Sequence, residues 1–266
     1  MIKLAAFDVD GTLRERDHLP ASTKAALSKL KEQGIALALC TGRSEHEMAS
    51  LREELDIDWA ITCNGSHVGY RGETVFGSAF EPATVRRWLL EASRRKHTVL
   101  LYGSKRMYMN AGVDAPHFHQ ARQEIGFMDP DRLPVEGLET AELPPVYQCI
   151  LFCTAEEEPA YLSAADLQQT TETYYRHRWR DWAIDLNPVG TNKANGLLRL
   201  LQHLNIAPEE AAAFGDGLND LEMIQSVGMG VAMGNAIDEL KARARFVTKP
   251  MHEDGIAYAV DTYLLK

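Results

Sequence analysis

The sequence predicts an α/β protein: a doubly wound parallel-sheet core at 1–81 and 182–266, interrupted by an inserted α+β domain at 82–181. Three observations predict it. Short apolar runs alternate with helix-spaced stretches over the first eighty residues, the rhythm breaks near Pro82, and it returns at Ala183. Strand–helix alternation at this spacing builds a parallel sheet with helices on both faces. The interrupting segment, about a hundred residues, is long enough to fold as a domain.

Leu4-Ala5-Ala6-Phe7 is too short for a helix and reads as a buried strand ending at Asp8. Ala25, Leu27 and Leu30 follow a helical spacing from Pro20, and Gly34 is a stop. Ile35 to Cys40 is a second strand, followed by Thr41-Gly42-Arg43; Ser44 with Glu47 three residues on is a capping box. Ala60 to Cys63 is a third strand ending at the turn Asn64-Gly65, and the glycine-spaced β-formers from Val68 to Phe80 read as a hairpin.

Within the insert, Pro82 opens a helix to about Lys96, and Val99 to Tyr102 resumes a strand. Prolines 130, 134, 144 and 145 mark a loop-rich stretch before a strand at 146–152. A helix over 159–167 and a strand over 173–178 follow. Ala183 to Leu186 is then read as the first returning core strand. A helix over 193–204 comes next, and short strands at 211–214, 230–234 and 246–248.

Lys+Arg 28 against Asp+Glu 38 gives a net charge of −10, with 45% hydrophobic and 25% charged residues, the balance of a globular chain. An acidic chain is a poor partner for nucleic acid or anionic lipid, so neither is expected. No apolar run reaches the length of a membrane span. The first ten residues lack the pattern of a secretory signal. Cys40, Cys63, Cys149 and Cys153 are too few and scattered for a disulfide scaffold, and read as buried free thiols in a reducing cytoplasm.

Chemistry gathers where strands end. In open α/β sheets ligands bind beyond the carboxyl ends of the strands. Asp8-Val9-Asp10-Gly11-Thr12 follows the first strand, Thr41-Gly42 the second, and Gly215-Asp216-Gly217-Leu218-Asn219-Asp220 a late one. Four carboxylates in one crevice repel unless a cation neutralises them, and hard oxygen ligands in that number suit Mg²⁺. Each piece alone has a bland reading. Asp-x-Asp-Gly is commonly a turn, and an EF-hand loop starting at Asp8 would place Leu19 where a glutamate is needed. Lys193 in isolation reads as a solvated helix residue. The combination, in this order and after apolar strands, points to phosphoryl transfer.

With those residues in hand, the sequence resembles the haloacid dehalogenase superfamily of aspartate-dependent phosphohydrolases. Asp8 to Leu13 is similar to its first motif, Thr41-Gly42-Arg43 to its second, Lys193 to its third and Gly215 to Asp220 to its fourth. Asn64-Gly65 and the size of the insert resemble the Cof-like subfamily with a large α/β cap, type IIB. The resemblance implies a Rossmann-like core and a cap that covers the crevice. It implies Asp8 as nucleophile and metal ligand. It implies Asp10 as acid and base, with its backbone carbonyl on the metal. Thr41, the Gly42 amide, Lys193 and Asn219 would hold phosphate, Asp216 would bind Mg²⁺, and Asp220 would support the metal shell.

Arg14 stands where an uncharged residue is more usual and Ala194 where glycine is common; neither removes a catalytic group. Arg14 and Arg43 in the core are candidate substrate contacts, although for Arg14 a solvent-facing side chain is the favoured reading. In the insert, Arg176, Arg178 and Arg180 alternate with His177 and Trp179, which puts three arginines on one strand face. Arg176 and Arg178 are candidate substrate contacts there, against the alternative of a charged, solvated sheet edge. The expectation is a cytoplasmic, Mg²⁺-dependent phosphomonoester hydrolase, monomer or homodimer, acting on small phosphorylated metabolites, sugar phosphates first. Alternatives are a flavin mononucleotide or pyridoxal phosphate phosphatase, a phosphomutase, or a metabolite-binding regulator.

Overall fold

The computed structural model describes residues 1–16, 18–112, 116–134, 137, 142–161 and 174–265. They divide into two compact units: 1–43 with 48–75 and 192–266, and 76–191 with 44–47.

The first unit is built on β1 (Leu4–Phe7), β2 (Ala36–Cys40), β3 (Trp59–Thr62), β4 (His67–Tyr70) and β5 (Glu73–Gly77), joined by three late strands, β12 (Ala211–Gly215), β13 (Met229–Ala232) and β14 (Phe246–Val247). The order is β14-β13-β12-β1-β2-β3-β4-β5. Pairing is parallel from β14 through β3 and antiparallel at β3–β4, so the hairpin after the third strand extends the sheet. The chain steps outward from β1 on one side and from β12 on the other. Their junction is therefore the topological switch point, where an open sheet leaves a crevice. Every residue of β1 and β12 is buried, as strands covered on both faces must be. Phe7 and Phe214 stack beneath the crevice with centroids 4.7 Å apart.

Helix α1 (Ala21–Glu32) buries Thr23, Ala26, Leu27 and Leu30; of the stripe read from the sequence, Leu27 and Leu30 face the core and Ala25 is exposed. Helix α2 (Glu45–Leu55) starts as expected: Ser44 Oγ accepts from the Glu47 amide and Glu47 Oε2 accepts from the Ser44 amide.

The second unit carries a six-stranded sheet of order β10-β11-β9-β6-β7-β8. Its strands are β6 (Thr98–Tyr102), β7 (Met107–Asn110), β8 (Asp131–Leu133), β9 (Gln148–Phe152), β10 (Tyr174–Arg180) and β11 (Ala183–Pro188). Helix α3 (Pro82–Arg95) lays Val85, Trp88, Leu89 and Ala92 on Val99, Leu101, Cys149 and Leu151. It has proline in its first turn and ends at Lys96 with φ +59°. Helices α4 (Pro116–Ile125) and α5 (Glu158–Tyr161) complete its described helices.

The strand from Ala183 differs from its expected place. It pairs antiparallel with β10 and with β9, Ile184 opposite Leu151, so it belongs to the second sheet. The second compact unit accordingly continues to Thr191 instead of stopping at 181. β8 lies in the stretch read as loop, and α4 was not anticipated. Of the helix expected at 159–167, Tyr161 and its predecessors are helical, and residues 162–167 lie outside the described residues, as does Thr173.

Helix α6 (Lys193–His203) returns the chain to the first unit, capped by Asn192, whose side chain accepts from the Asn195 amide at 2.8 Å. Short helices α7 (Leu221–Gln225), α8 (Asp238–Arg243) and α9 (Gly255–Ala259) follow. All four cysteines are free and buried. Among the described residues no helix is long and apolar enough to cross a membrane.

Candidate active site

Asp8 continues the line of β1: its amide donates to the Phe214 carbonyl at 2.9 Å, which fixes its side chain at the mouth of the switch point. Helix α6 enters from the far end of the sequence and buries Lys193 at its first turn. The ammonium donates to Asp8 Oδ1 at 2.7 Å and to Asp220 Oδ1 at 2.6 Å, with Lys193 and Asp220 essentially sealed from solvent. Asp220 Oδ2 accepts from the backbone amides of Asp216 at 3.0 Å and Gly217 at 2.9 Å. Both Asp220 oxygens are thus bonded within the protein, which makes it a brace for the loop. Gly215 makes room for it, since a Cβ there would lie 2.4 Å from the Asp220 carboxyl carbon.

Asp216 is held from the other side. Thr12 Oγ1 donates to its Oδ1 at 2.7 Å, and Gly11, at φ +89°, passes so close that a Cβ would lie 2.3 Å from its Oδ2. One oxygen each of Asp8, Asp216 and Asp220 lies within 4.8 Å of the others. Three carboxylates against one ammonium leave an excess of two negative charges when all are ionised. Burial, and then repulsion from Asp220 and Asp216, pushes Asp8 well above the usual carboxylate range despite Lys193. Burial pushes Asp216 up to about 6, with Asp220 adding to the rise. Burial alone would depress the Lys193 ammonium, yet Asp220 and Asp8 hold it above its ordinary value. An all-oxygen donor set that its own lysine does not neutralise fits a hard divalent cation.

Asp10 stands apart. Its carboxylate forms a two-pronged ion pair with Arg43, Nε to Oδ2 at 2.6 Å and Nη2 to Oδ1 at 2.8 Å, with the Asp10 side chain 45% exposed. It is not one of the converging carboxylates, which leaves its backbone carbonyl for the expected metal contact. Arg43, expected as a substrate contact, is spent on Asp10. Thr41 is buried, with its amide on the Ile61 carbonyl at 2.9 Å and its hydroxyl accepting from the Arg43 amide at 3.2 Å. Asn219 Nδ2 donates to Asn64 Oδ1 at 3.0 Å, and Asn64 lies against Gly42. Arg14 is half-buried, and its carbonyl closes the first-motif turn by accepting from the Gly11 amide at 2.8 Å.

In the second unit Arg176 and Arg178 share one partner, Glu158, at 3.0 and 2.7 Å. Arg178 also donates to the carbonyls of Cys153 and Asp181, at 2.9 and 3.1 Å. These contacts account for both side chains without a ligand. The register of β10 shifts between Arg178 and Arg180, so the expected row of three arginines ends at the second. Sequence reasoning gave no role to Thr12 or to the Asn64 side chain. It also passed over Asn235, which donates to the Gly11 carbonyl at 2.8 Å and accepts from the Met251 amide at 2.9 Å.

Comparison with known proteins agrees with this geometry. A family model described as haloacid dehalogenase-like hydrolase matches residues 5–260. The chain is 37% identical over 261 residues to the "Putative phosphatase YkrA" of Bacillus subtilis (strain 168), covering 97% of this chain and 96% of that one. It is 32% identical over 253 residues to the HMP-PP phosphatase of Klebsiella pneumoniae (strain 342), covering 91% and 88%. Among solved structures, the HAD subclass IIB sugar phosphatase BT4131 matches with a TM-score of 0.79 at 26% identity, over 98% of each chain.

Proposed function

This chain belongs to the haloacid dehalogenase-like hydrolases and is an enzyme of the phosphatase class; from that premise we propose that it is a Mg²⁺-dependent phosphomonoester hydrolase working through an aspartyl-phosphate on Asp8. The observation that carries the reading is the Asp8 carboxylate at the switch point, tied to buried Lys193 and flanked by Asp216 and Asp220.

Phosphate monoesters hydrolyse extremely slowly in water, and catalysis of their transfer is mostly positioning and electrostatics. Asp8 attacks phosphorus, and the P–O bond to the alcohol breaks as Asp10, which must turn from Arg43 and take up a proton to serve as the acid, gives that proton to the leaving oxygen. Asp10 then takes a proton from water, the hydroxide oxygen bonds to phosphorus, and the Asp8–phosphorus bond breaks to release inorganic phosphate. Lys193 fixes Asp8 by one oxygen and offsets charge on the phosphoryl group. The Thr41 hydroxyl, the Gly42 amide and the Asn219 side chain hydrogen-bond its oxygens. Asp8, Asp216 and the Asp10 carbonyl would hold Mg²⁺, with Asp220 bracing the loop, and the ion would supply positive charge that admits a phosphate to an acidic site.

The substrates are small phosphorylated metabolites, sugar phosphates first, a choice supported by the likeness to a sugar phosphatase. Four buried free thiols suit a cytoplasmic protein. A screen of phosphorylated metabolites with Mg²⁺ and with EDTA tests the proposal. Release of inorganic phosphate only with Mg²⁺, and fastest from sugar phosphates, is expected. Binding without turnover on every ester would make the protein a metabolite sensor instead.

A further inference from the structure

The loop after β3 has no part in the proposed chemistry, yet it touches two loops that do. Cys63, Asn64 and Gly65 form one tight turn with φ of 52°, 50° and 88°. Gly65 cannot be larger, because a Cβ there would lie 2.0 Å from the Asn192 carbonyl oxygen. The Cys63 amide donates to the Arg43 carbonyl at 2.8 Å and the Asn64 amide to the Thr41 carbonyl at 3.0 Å. Backbone alone therefore pins this turn to the loop at 41–43. The Asn64 side chain, buried, lies flat on Gly42, where a Cβ would sit 3.2 Å from its Nδ2 and its Oδ1. From there its Oδ1 accepts from Asn219 Nδ2 at 3.0 Å, across 155 positions of sequence.

We propose that Asn64 is a positioning residue for the phosphoryl site, setting which end of the Asn219 amide meets the anion and holding that amide in register with Gly42. The inference rests on the reading that Asn219 and Gly42 bind phosphate. A side-chain amide has a donor end and an acceptor end of nearly equal shape. Sterics alone would let Asn219 present either. Asn64 Oδ1 accepts one of the two Nδ2 hydrogens, and the second remains to donate to a phosphoryl oxygen. The flipped amide would set two carbonyl oxygens against each other and turn an acceptor toward the phosphate. Because the Asn64 amide is fastened to residue 41 and the adjoining Cys63 amide to residue 43, the two phosphate-binding loops share one reference point.

Asn64→Gly is the informative variant, since glycine keeps a φ of 50° and loses only the side chain. In the Mg²⁺-loaded full chain, kcat/KM for p-nitrophenyl phosphate should fall about 10- to 100-fold, below the loss expected for deleting a donor outright. The inhibition constant of inorganic phosphate should rise, while the Mg²⁺ midpoint for thermal stabilisation stays at the wild-type value. Asn219→Ala should show the same pattern, and the double variant should lose no more than Asn219→Ala alone. A double loss equal to the product of the single losses overturns the proposal, as does a matching loss of Mg²⁺ response. Side-chain amide ¹⁵N relaxation gives a readout apart from turnover: the Asn219 amide should be ordered in the parent and mobile in Asn64→Gly. Unchanged order in the variant overturns the positioning role. A parent protein that turns over no phosphate ester would strike the phosphatase reading instead, and the amide measurement would still decide for or against Asn64.

Discussion

Two three-membered charge clusters in this protein mirror each other. In the first unit one cation, Lys193, is shared by two anions, Asp8 and Asp220; in the second one anion, Glu158, is shared by two cations, Arg176 and Arg178. Distances are alike, 2.6–2.7 Å against 2.7–3.0 Å, but solvent is not. The side chains of the first cluster are 9% exposed or less, and the arginines of the second are 49% and 22% exposed. Water screens the second and leaves it worth little, whereas desolvation makes each member of the first depend on the others. Burial without full neutralisation is costly for folding, and the cation and phosphate of the proposed function are what would give such an imbalance a use.

The contrast breaks first at Asp8. Asp8→Asn should lower aryl-phosphate turnover by at least about a thousandfold with thermal stability retained, because burial already favours the neutral form. Turnover within tenfold of the parent would remove Asp8 as nucleophile. Lys193→Met should destabilise by about 3 kcal/mol or more in urea unfolding, since it strands two buried carboxylates. A change near 0.5 kcal/mol would put this cluster on a level with the exposed one.

Proton linkage sharpens the comparison. Folding raises Asp216 from 3.8 to about 6, so the folded chain keeps this proton at pH values where the unfolded chain has shed it. Without a cation, that contribution to stability is complete below the unfolded value, declines as pH rises between the two, and is gone above about 6. Mg²⁺ binds the ionised form, so its Tm increment should grow as pH rises through that window and then level off. An increment independent of pH would take Asp216 out of the cation site. The smallest effect belongs to the mirror cluster. Arg178→Ala should cost about 1 kcal/mol of stability and leave the ratio of sugar-phosphate to aryl-phosphate turnover within about twofold. A shifted ratio would make Arg178 a substrate contact.

Where function depends on residues at strand ends, the sequence was legible. Asp8 follows an apolar run too short for a helix, Asp216 and Asp220 follow an alanine-rich run whose reading as a strand leans on the Gly-Asp-Gly behind it, and the switch point brings the three together. Lys193 was legible only through resemblance, because a lysine in the first turn of a helix has no spacing that tells of burial. Thr12 to Asp216 and Asn64 to Asn219 were not legible at all: hydrogen bonds spanning 204 and 155 positions follow from packing, and no local pattern encodes them. The strand at Ala183 was recognised, but its sheet was not, since an apolar strand does not name its neighbour. Arg180 left the arginine row because a register shift, invisible in alternating letters, turned it away.

The central strand has a further consequence for how the protein is made. β1 is made about two hundred residues before its neighbour on one side, which starts at Ala211 opposite Leu4. At translation speeds of about 5–20 residues per second, that flank of an entirely apolar strand waits on the order of 10–40 s for its mate. Until then that edge of β1 lacks its native partner, and the contact between Asp8 and Lys193 likewise waits on the 185 positions that separate them.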